Sequence, residues 1–389
     1  MYVTHLALTD FRNYESVEVP MVPGANIFVG SNGQGKTNLV EALGYLSTLG
    51  SHRVSVDHAM IRQGQDSAIV RARLEHGDRQ VLAEVQLNRT GANRAQVNRS
   101  PIKTRELPRY FSSVLFAPED LALVRGEPSG RRRFMDELLV QKSPRLSAVM
   151  TDYERVVKQR NTLLKSARAS GVRDGQLSTL EIRDERLIAF GSEIIEARST
   201  LIAELTPEVA SAYASIAGEE HVASLSSLLS ILSDRVDDDA DLETAALRGG
   251  NITAQEAAAH YKNALARLRR AELDRGLTLV GPHRDDLVLT LNGLPARGYA
   301  SHGESWSFAL SLKLASAAVL RREAFAGDPV LILDDVFAEL DQTRRARLAH
   351  AVAGFEQVLI TAAVRDDVPE ELDGNIVRIR AGRVVEEES

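Results

Sequence analysis

The chain has 389 residues, of which 44% are hydrophobic and 26% charged, so it can bury a core and divide into two or three domains. It has no cysteine, which excludes disulfides, thiolate zinc sites and cysteine nucleophiles and fits a cytoplasmic location. The net charge of -7 disfavours a uniformly basic nucleic-acid binder but allows a local basic surface.

The first hundred residues carry strand patterns. Residues 1–6 alternate as a strand does, unlike a signal peptide, and no apolar run approaches the roughly 18 residues of a membrane span. Residues 68–74 and 81–87 also alternate, and the turn at 75–78 between them predicts a β-hairpin.

A phosphate-binding motif follows the first strands. Residues 30–37 read G-S-N-G-Q-G-K-T, a full match to G-x-x-x-x-G-K-[ST], between a predicted strand at 25–29 and a helix start at 38–43. Lys36 would reach the β- and γ-phosphates of ATP and act in catalysis, and the Thr37 hydroxyl would ligate Mg²⁺. The expected nucleotide-binding residues are Gly30, Ser31, Asn32, Gly33, Gln34, Gly35, Lys36, Thr37 and Asn38.

From about residue 130 the pattern becomes helical. A helix through Tyr153 and Leu164, a turn at 170–175 and a second helix from about 177 to 217 predict a short helical hairpin. The second helix has a stripe with 4-3-4-3-4 spacing, formed by Leu187, Gly191, Ile194, Arg198, Leu201 and Leu205. The acidic run at 237–241 predicts a surface loop, residues 254–274 a helix, and residues 276–291 a return to strand.

A pair of carboxylates closes the apolar run 330–333. Asp334 would hold Mg²⁺ directly or through water, and Asp335 would act in catalysis by polarising the attacking water. These acids lie roughly 300 residues after the phosphate loop, so the two motifs must converge on one sheet that is split by an insert. We therefore predict an α/β ATPase lobe from residues 1–115 and 290–389, and a mainly helical second lobe at 116–289 with the hairpin.

A third motif lies about 30 residues before the acids. Ser301-His302-Gly303-Glu304, before a helix expected at 307–322, resembles the signature loop S-x-G-[QE] of the ABC-type ATPases. Such a loop can bind a γ-phosphate at a helix N-terminus, and in that superfamily it acts on nucleotide held by the partner subunit. Asp341, just past the metal acids, would meet the same second nucleotide. Glu304 stands where the family more often has glutamine.

The chain as a whole is similar to the RecF family, bacterial recombination mediators in the SMC-like branch of these ATPases. The matching stretches are residues 8–14, 30–37, 116–121, 126–134, 281–286, 333–335 and 339–341. The resemblance implies an ABC/SMC-type head that uses ATP and Mg²⁺, forms an ATP-dependent homodimer, binds DNA including gapped duplex and hydrolyses ATP slowly, stimulated by DNA. It also implies RecR as a partner and, indirectly, RecO and RecA, which is loaded at single-stranded gaps.

Other residues receive roles from the same resemblance. Arg12 and Asn13 would touch phosphates or support the loop, Arg53 could act as an arginine finger, and Thr361 stands where ABC ATPases carry a switch histidine. His283 follows Gly-Pro and is interpreted as part of a structural turn.

Clustered arginines are the candidate DNA contacts. The first candidate cluster is Arg131, Arg132 and Arg133. The two alternative clusters are Arg267, Arg269 and Arg270, and Arg344, Arg345 and Arg347. The ordinary outcome for such clusters is a solvated helix face.

Three other classes of protein compete with this interpretation. SMC-type or break-repair heads carry very long coiled coils or a C-x-x-C zinc hook, whereas this chain has a short hairpin and no cysteine. A transporter ATPase would lack the long separation of motifs and would need a membrane partner. A nucleotide-gated clamp without hydrolysis is disfavoured by Asp335.

Overall fold

A computed structural model describes residues 1–170, 178–233, 251–323 and 327–385. The contacts divide the chain into two compact units: residues 1–122, 208–222 and 301–389 form the first, and residues 123–207 and 223–300 form the second. The first unit includes residues 208–222, which the sequence pattern alone places in the helical insert. The acidic run at 237–241 and residues 171–175 of the predicted turn lie outside the described residues.

The strands of the described residues are numbered in chain order. They are β1 Tyr2–Phe11, β2 Tyr14–Pro20, β3 Gly24–Val29, β4 Ser67–His76, β5 Arg79–Asn88, β6 Arg94–Val97, β7 Ser100–Ile102, β8 Ser113–Phe116, β9 Ala223–Leu228, β10 Asp286–Leu291, β11 Leu294–Pro295, β12 Val330–Asp334, β13 Gln357–Ala362, β14 Gly374–Arg380 and β15 Arg383–Val385.

The α-helices are numbered in the same way. They are α1 Lys36–Thr48, α2 Leu121–Arg125, α3 Pro128–Lys142, α4 Leu146–Ser170, α5 Ser178–Ala217, α6 Ala254–Arg275, the single turn α7 Ala296–Tyr299, α8 His302–Glu323 and α9 Gln342–Val352. No helix within these described ranges combines the length and the apolar character that a membrane crossing requires.

The first unit contains two six-stranded sheets. One has the order β15-β14-β3-β13-β12-β8 and is parallel except for the β14–β15 pair. Its strands β12 and β13 are buried at every residue, as expected of parallel strands covered on both faces. The other sheet is antiparallel, with the order β2-β1-β4-β5-β6-β7, and contains the predicted hairpin as β4 and β5.

Helix α1 lies in the hydrophobic core shared by these two sheets. Leu39 and Leu43 are fully buried in one cluster with Val70 of β4 and Ile332 of β12. The buried residues of this helix lie all round it and include the polar Lys36, Glu41 and Ser47. The core therefore fixes the position of the helix that follows the phosphate loop.

In the second unit, α4 and α5 share a core with a third helix, α6. Tyr153 of α4, Leu187 and Ile194 of α5, and Tyr261 of α6 belong to one buried cluster. The stripe predicted along α5 is buried, including Arg198, which forms an ion pair with Asp136. The head-type α/β fold with a short helical hairpin is confirmed.

Two predicted boundaries are wrong. The strand expected over residues 276–291 forms only at β10, because Gly281 has a φ of +125° and is followed by a proline that lacks a backbone donor. The helix expected at 307–322 begins at His302, five residues earlier, so His302, Gly303 and Glu304 lie in its first turn and Ser301 directly precedes it.

Candidate nucleotide-binding site

The phosphate loop and the carboxylate pair meet at one edge of the parallel sheet. Strand β13 lies between β3 and β12, and the register places Thr361 beside both Phe28 and Asp334. Because parallel strands end at the same edge, the residues that follow β3 and β12 come together although roughly 300 residues separate them.

The loop itself is held by backbone and side-chain contacts. Gly35 has a φ of +114°, and a Cβ there would lie 2.8 Å from the Tyr14 hydroxyl, so only glycine fits. The Gln34 Oε1 accepts from the Ala381 N–H at 2.6 Å, which ties the loop to the β14–β15 turn. Ser31, Asn32 and Gly33 are exposed at its tip, where a ligand can reach their backbone N–H groups.

Lys36 lies inside the loop. Its Nζ donates to the Gly30 carbonyl at 2.6 Å and to the Ser31 carbonyl at 3.4 Å, and the residue is only 3% exposed. The ammonium is thus positioned at the cradle by two carbonyls of the motif. Phosphate oxygens are stronger acceptors of a charged donor than carbonyls are.

Asp334 is the buried carboxylate of the site. Its Oδ1 accepts from the Thr37 hydroxyl at 3.1 Å and from the Thr361 hydroxyl at 2.6 Å, and burial raises its pKa to about 6. Among the described residues, no arginine or lysine pairs with it. A hydroxyl and one carboxylate beside a phosphate loop are the hard oxygen ligands that Mg²⁺ uses with nucleotides, so these residues fit the ion.

Asp335 turns away from the strand. Its φ is +52°, in the left-handed region that aspartate tolerates better than most residues, and its N–H donates to the Thr361 hydroxyl at 2.9 Å. Thr361 therefore contacts both acids.

A second group of contacts supports α1 from beside the loop. Arg12 donates to both oxygens of Glu41, at 2.8 and 2.6 Å. Burial favours protonation of Glu41, but hydrogen bonds from Arg12 and Ser51 outweigh it and lower the pKa. Arg53 donates to Asn38 at 2.9 Å, and Asn38 donates to Asn13 at 2.7 Å. In this structure Arg12, Asn13 and Arg53 thus brace the loop and its helix.

His52 is a site residue that sequence reasoning missed. Its Nε2 lies 4.0 Å from the Asp334 Oδ2 and is buried without a hydrogen-bond partner in the described structure. Desolvation lowers the pKa of this imidazole. A lone histidine past the end of α1 belongs to no motif, so the single sequence carries no signal for it.

The signature residues are organised by a capping box at the start of α8. The Ser301 N–H donates to the Glu304 Oε2 at 2.7 Å, and the Glu304 N–H donates to the Ser301 hydroxyl at 3.3 Å. Hydrogen bonds from the side chain and the backbone N–H of Ser301 to the carboxylate lower the pKa of Glu304. A Cβ at Gly303 would lie 2.8 Å from Arg344, whose Nη1 donates to Asp341 at 3.1 Å.

The signature helix lies at the far side of the sheet from the phosphate loop. Trp306 packs edge-on against Phe116 of β8, with ring centroids 5.5 Å apart. Strand β8 is three strand spacings from β3 in the sheet order, about 14 Å at the usual 4.7–4.9 Å per strand.

The prediction that Arg131 contacts DNA is wrong. It is 4% exposed and donates to both Asp286 oxygens at 2.8 and 2.7 Å, so its charge is already neutralised in the second unit. Arg132 donates to the Asp285 carbonyl, and the exposed Arg133 pairs with Glu137 one helical turn away. For these two residues DNA contact stays a prediction.

The alternative arginine clusters are also partly engaged. Arg269 pairs with Asp184 at 2.7 Å, Arg345 donates to the Leu340 carbonyl at 2.9 Å and Arg347 to the Ile216 carbonyl at 3.1 Å.

The Gly-Pro-His-Arg-Asp-Asp stretch, residues 281–286, forms hydrogen bonds with other residues of the second unit. His283 Nδ1 lies 2.7 Å from the Tyr153 hydroxyl, and burial lowers its pKa to about 4, as suits a neutral structural imidazole. Asp285 accepts from the Ser230 N–H and hydroxyl, and burial raises its pKa to about 6.

Comparison with known proteins identifies the class to which this fold and site belong. Residues 2–384 match the family model of the RecF/RecN/SMC N-terminal domain. The head of an SMC protein bound to the C-winged helix domain of ScpA superposes with a TM-score of 0.53 at 15% identity, covering 99% of this chain and 97% of that one, and shows the shared fold.

More specific matches cover the whole chain. It is 65% identical to the DNA replication and repair protein RecF of Clavibacter sepedonicus, over 99% of this chain and 95% of that one. The same protein of Leifsonia xyli subsp. xyli is 64% identical, over 99% and 100%. A solved recombination mediator protein RecF with ATP, from the RecFOR pathway, has a TM-score of 0.85 at 28% identity, covering 99% and 97%. The chain belongs to the RecF family of DNA replication and repair proteins.

Proposed function

We propose that this protein binds ATP with Mg²⁺ at residues 30–38, dimerises in the ATP-bound state, binds DNA as a dimer and hydrolyses ATP slowly with stimulation by DNA. The observation that carries the proposal is the 3.1 Å contact between the Thr37 hydroxyl and Asp334, which joins the phosphate loop to the carboxylate pair. The ATP-bound relative of similar structure supports the choice of nucleotide.

The residues divide the work at this site. The loop N–H groups and Lys36 bind the phosphates, and Thr37 and Asp334 would hold the metal. Bound Mg²⁺ would neutralise charge on the β- and γ-phosphates. Asp335, next to Asp334 and nearer to solvent, accepts a proton from the attacking water.

Dimerisation is proposed because the signature residues cannot serve the nucleotide of their own subunit. Ser301 and Gly303 begin a helix that packs beside β8, about three strand spacings from the phosphate loop. A helix N-terminus attracts anions, so the γ-phosphate of a second subunit is the ligand that suits it, with Asp341 nearby.

The biological role follows the relatives. Proteins of this family are named for DNA replication and repair, and the solved relative is placed in the RecFOR pathway. We propose RecR as the direct partner, RecO and RecA as indirect ones, gapped duplex DNA as the substrate and the cytoplasm as the location.

Sedimentation velocity with ATP, with ADP and with no nucleotide tests the proposal. Wild-type protein should dimerise with ATP but not with ADP or without nucleotide. Ser301→Arg should bind ATP yet stay monomeric, because a bulky cation fills the anion site. Ser16→Arg, at an exposed serine on β2, is the matched control and should dimerise. A Ser301→Arg dimer would contradict the role of the signature loop in the partner's site.

Lys36→Met tests nucleotide binding itself. Loss of charge-assisted hydrogen bonds worth about 1.5–3 kcal/mol each should weaken ATP binding by about tenfold to a hundredfold or more. Fluorescence titration with labelled ATP measures the affinity. Wild-type affinity in this variant would contradict the assignment of residues 30–38 as the phosphate-binding loop.

A further inference from the structure

The end of the antiparallel sheet carries an unusual concentration of positive charge. Residues 89–109 include six arginines and lysines and one acidic residue, a net charge of +5 in a chain whose total is -7. All six of these side chains are exposed, and the five that follow Arg89 are together called the basic edge: Arg94, Arg99, Lys103, Arg105 and Arg109. They lie on β6, the β6–β7 turn and the segment after β7, the outermost strand of the sheet.

The register of the last two strands places two of these cations side by side. Ala95 pairs with Ile102, and the Thr104 hydroxyl donates to the Asn93 carbonyl at 3.2 Å. Continuing this register by one residue sets Arg94 opposite Lys103, which directly follows β7. Residues directly opposite on antiparallel strands have Cβ atoms about 4.5–5.5 Å apart.

Like charges in such a pair destabilise a sheet, so this pair is not explained by the stability of the fold. A role in binding an anion would explain it. Arg71 of the same sheet, by contrast, pairs with Glu84 across β4 and β5. Within the described residues, no acidic side chain forms an ion pair with any member of the basic edge. These cations are therefore solvent-facing and available to an external anion.

We propose that the basic edge binds the phosphate backbone of duplex DNA. Strand β6 runs from Arg94 to Val97, three residue steps or about 10 Å at 3.3 Å per residue, and Arg99 lies in the turn that follows it. Over that length duplex DNA presents about six phosphate charges, one per 1.7 Å of axis. The edge exposes no large hydrophobic side chain that would anchor a membrane or a protein partner, whereas arginine and lysine alone suffice for backbone contacts.

This inference rests on the proposed function, because it supplies the DNA-contact surface that Arg131 cannot. Contacts of this type read charge and not base sequence, so binding should be insensitive to sequence and should weaken steeply with salt.

The test is anisotropy of labelled duplex DNA with ATP-bound protein over a range of salt concentrations. Arg94→Glu with Lys103→Glu should weaken duplex binding at least tenfold and lower the salt slope by about two, the number of lost phosphate contacts. The control, Arg73→Glu with Arg79→Glu, makes the same change of charge at two exposed arginines of β4 and β5. It should bind DNA as the wild type does.

The outcomes separate this surface from the proposed function. If wild-type protein with ATP does not bind duplex DNA, the proposed function fails. If the wild type binds and the edge variant keeps its affinity and salt slope, the surface alone is wrong. Equal losses in both double variants, or a loss confined to single-stranded DNA, would also overturn the assignment. Labelled-ATP affinity must be unchanged in the edge variant, since none of its residues touches the nucleotide site.

Discussion

Thr361 donates its hydroxyl to Asp334 at 2.6 Å and accepts the N–H of Asp335 at 2.9 Å. One buried hydroxyl thus fixes both carboxylates at the end of β12. Thr361 therefore supports the two residues that we propose for metal binding and catalysis.

Thr361→Val should therefore damage the site without removing any acid. It leaves the Asp335 N–H unpaired and removes a short hydrogen bond to Asp334, which should lower the free energy of unfolding by about 1–3 kcal/mol. Urea denaturation measures this, and Thr361→Ser, which keeps the hydroxyl, should lose less. A valine variant as stable as the wild type would show that these hydrogen bonds contribute little.

Asp335→Asn should separate binding from hydrolysis. Asparagine also tolerates a positive φ but cannot accept a proton, so phosphate release should fall by about 10²–10⁴-fold while ATP affinity stays unchanged. Single-turnover phosphate release measures the rate. Glu339→Gln removes an exposed carboxylate from the same loop and should retain activity. Near-normal hydrolysis in the asparagine variant would exclude Asp335 as the base.

Arg131→Gln should unfold the second unit more easily and should not act on DNA directly. It leaves the buried Asp286 without its partner, and breaking such a pair costs about 3–5 kcal/mol. Arg133→Gln breaks an exposed pair and should cost at most about 1 kcal/mol. Urea denaturation compares the two. A folded Arg131→Gln protein with wild-type stability but a reduced salt slope for DNA would restore the original prediction.

Asp285 should make stability depend on pH. Its folded pKa of about 6 lies above the ordinary value of 3.8, so the protonated carboxyl stabilises the fold below about pH 4 and this contribution is lost as the pH rises through 6. The loss is on the order of 3 kcal/mol. Asp285→Asn cannot titrate, so its free energy of unfolding should fall less than that of the wild type between pH 4 and 7. Asp274→Asn, at an exposed position, should follow the wild type.

The phosphate loop could be predicted from sequence because its geometry is local. A strand, a glycine-rich turn and a helix start are contiguous, and the spacing of Gly35, Lys36 and Thr37 alone determines which groups point at a phosphate. The Ser301 to Glu304 spacing is a capping-box pattern, and it would have placed the start of α8 correctly. Short-range sequence patterns therefore predict the motifs and most of the helix and strand boundaries.

Contacts between distant residues escaped the sequence for a different reason. A run of three arginines looks the same whether it faces water or a buried acid, and the partner of Arg131 lies 155 residues away. His52 likewise becomes part of the site only because β12 delivers Asp334 beside it. Such assignments depend on which strands are neighbours, and a single sequence does not specify that.

The strand order also sets when the site can exist during synthesis. Both neighbours of β3 come from residues 357–380, so β3 leaves the ribosome without a partner strand and remains so until the end of the chain appears. At about 5–20 residues per second, that wait is roughly 20–70 seconds. A product truncated between residues 38 and 357 contains the entire phosphate-binding motif, but its strand β3 has no neighbouring strand in the parallel sheet. We therefore expect a chain to bind ATP only after residues 357–380 have been synthesised, so shorter chains should not compete with finished ones for nucleotide.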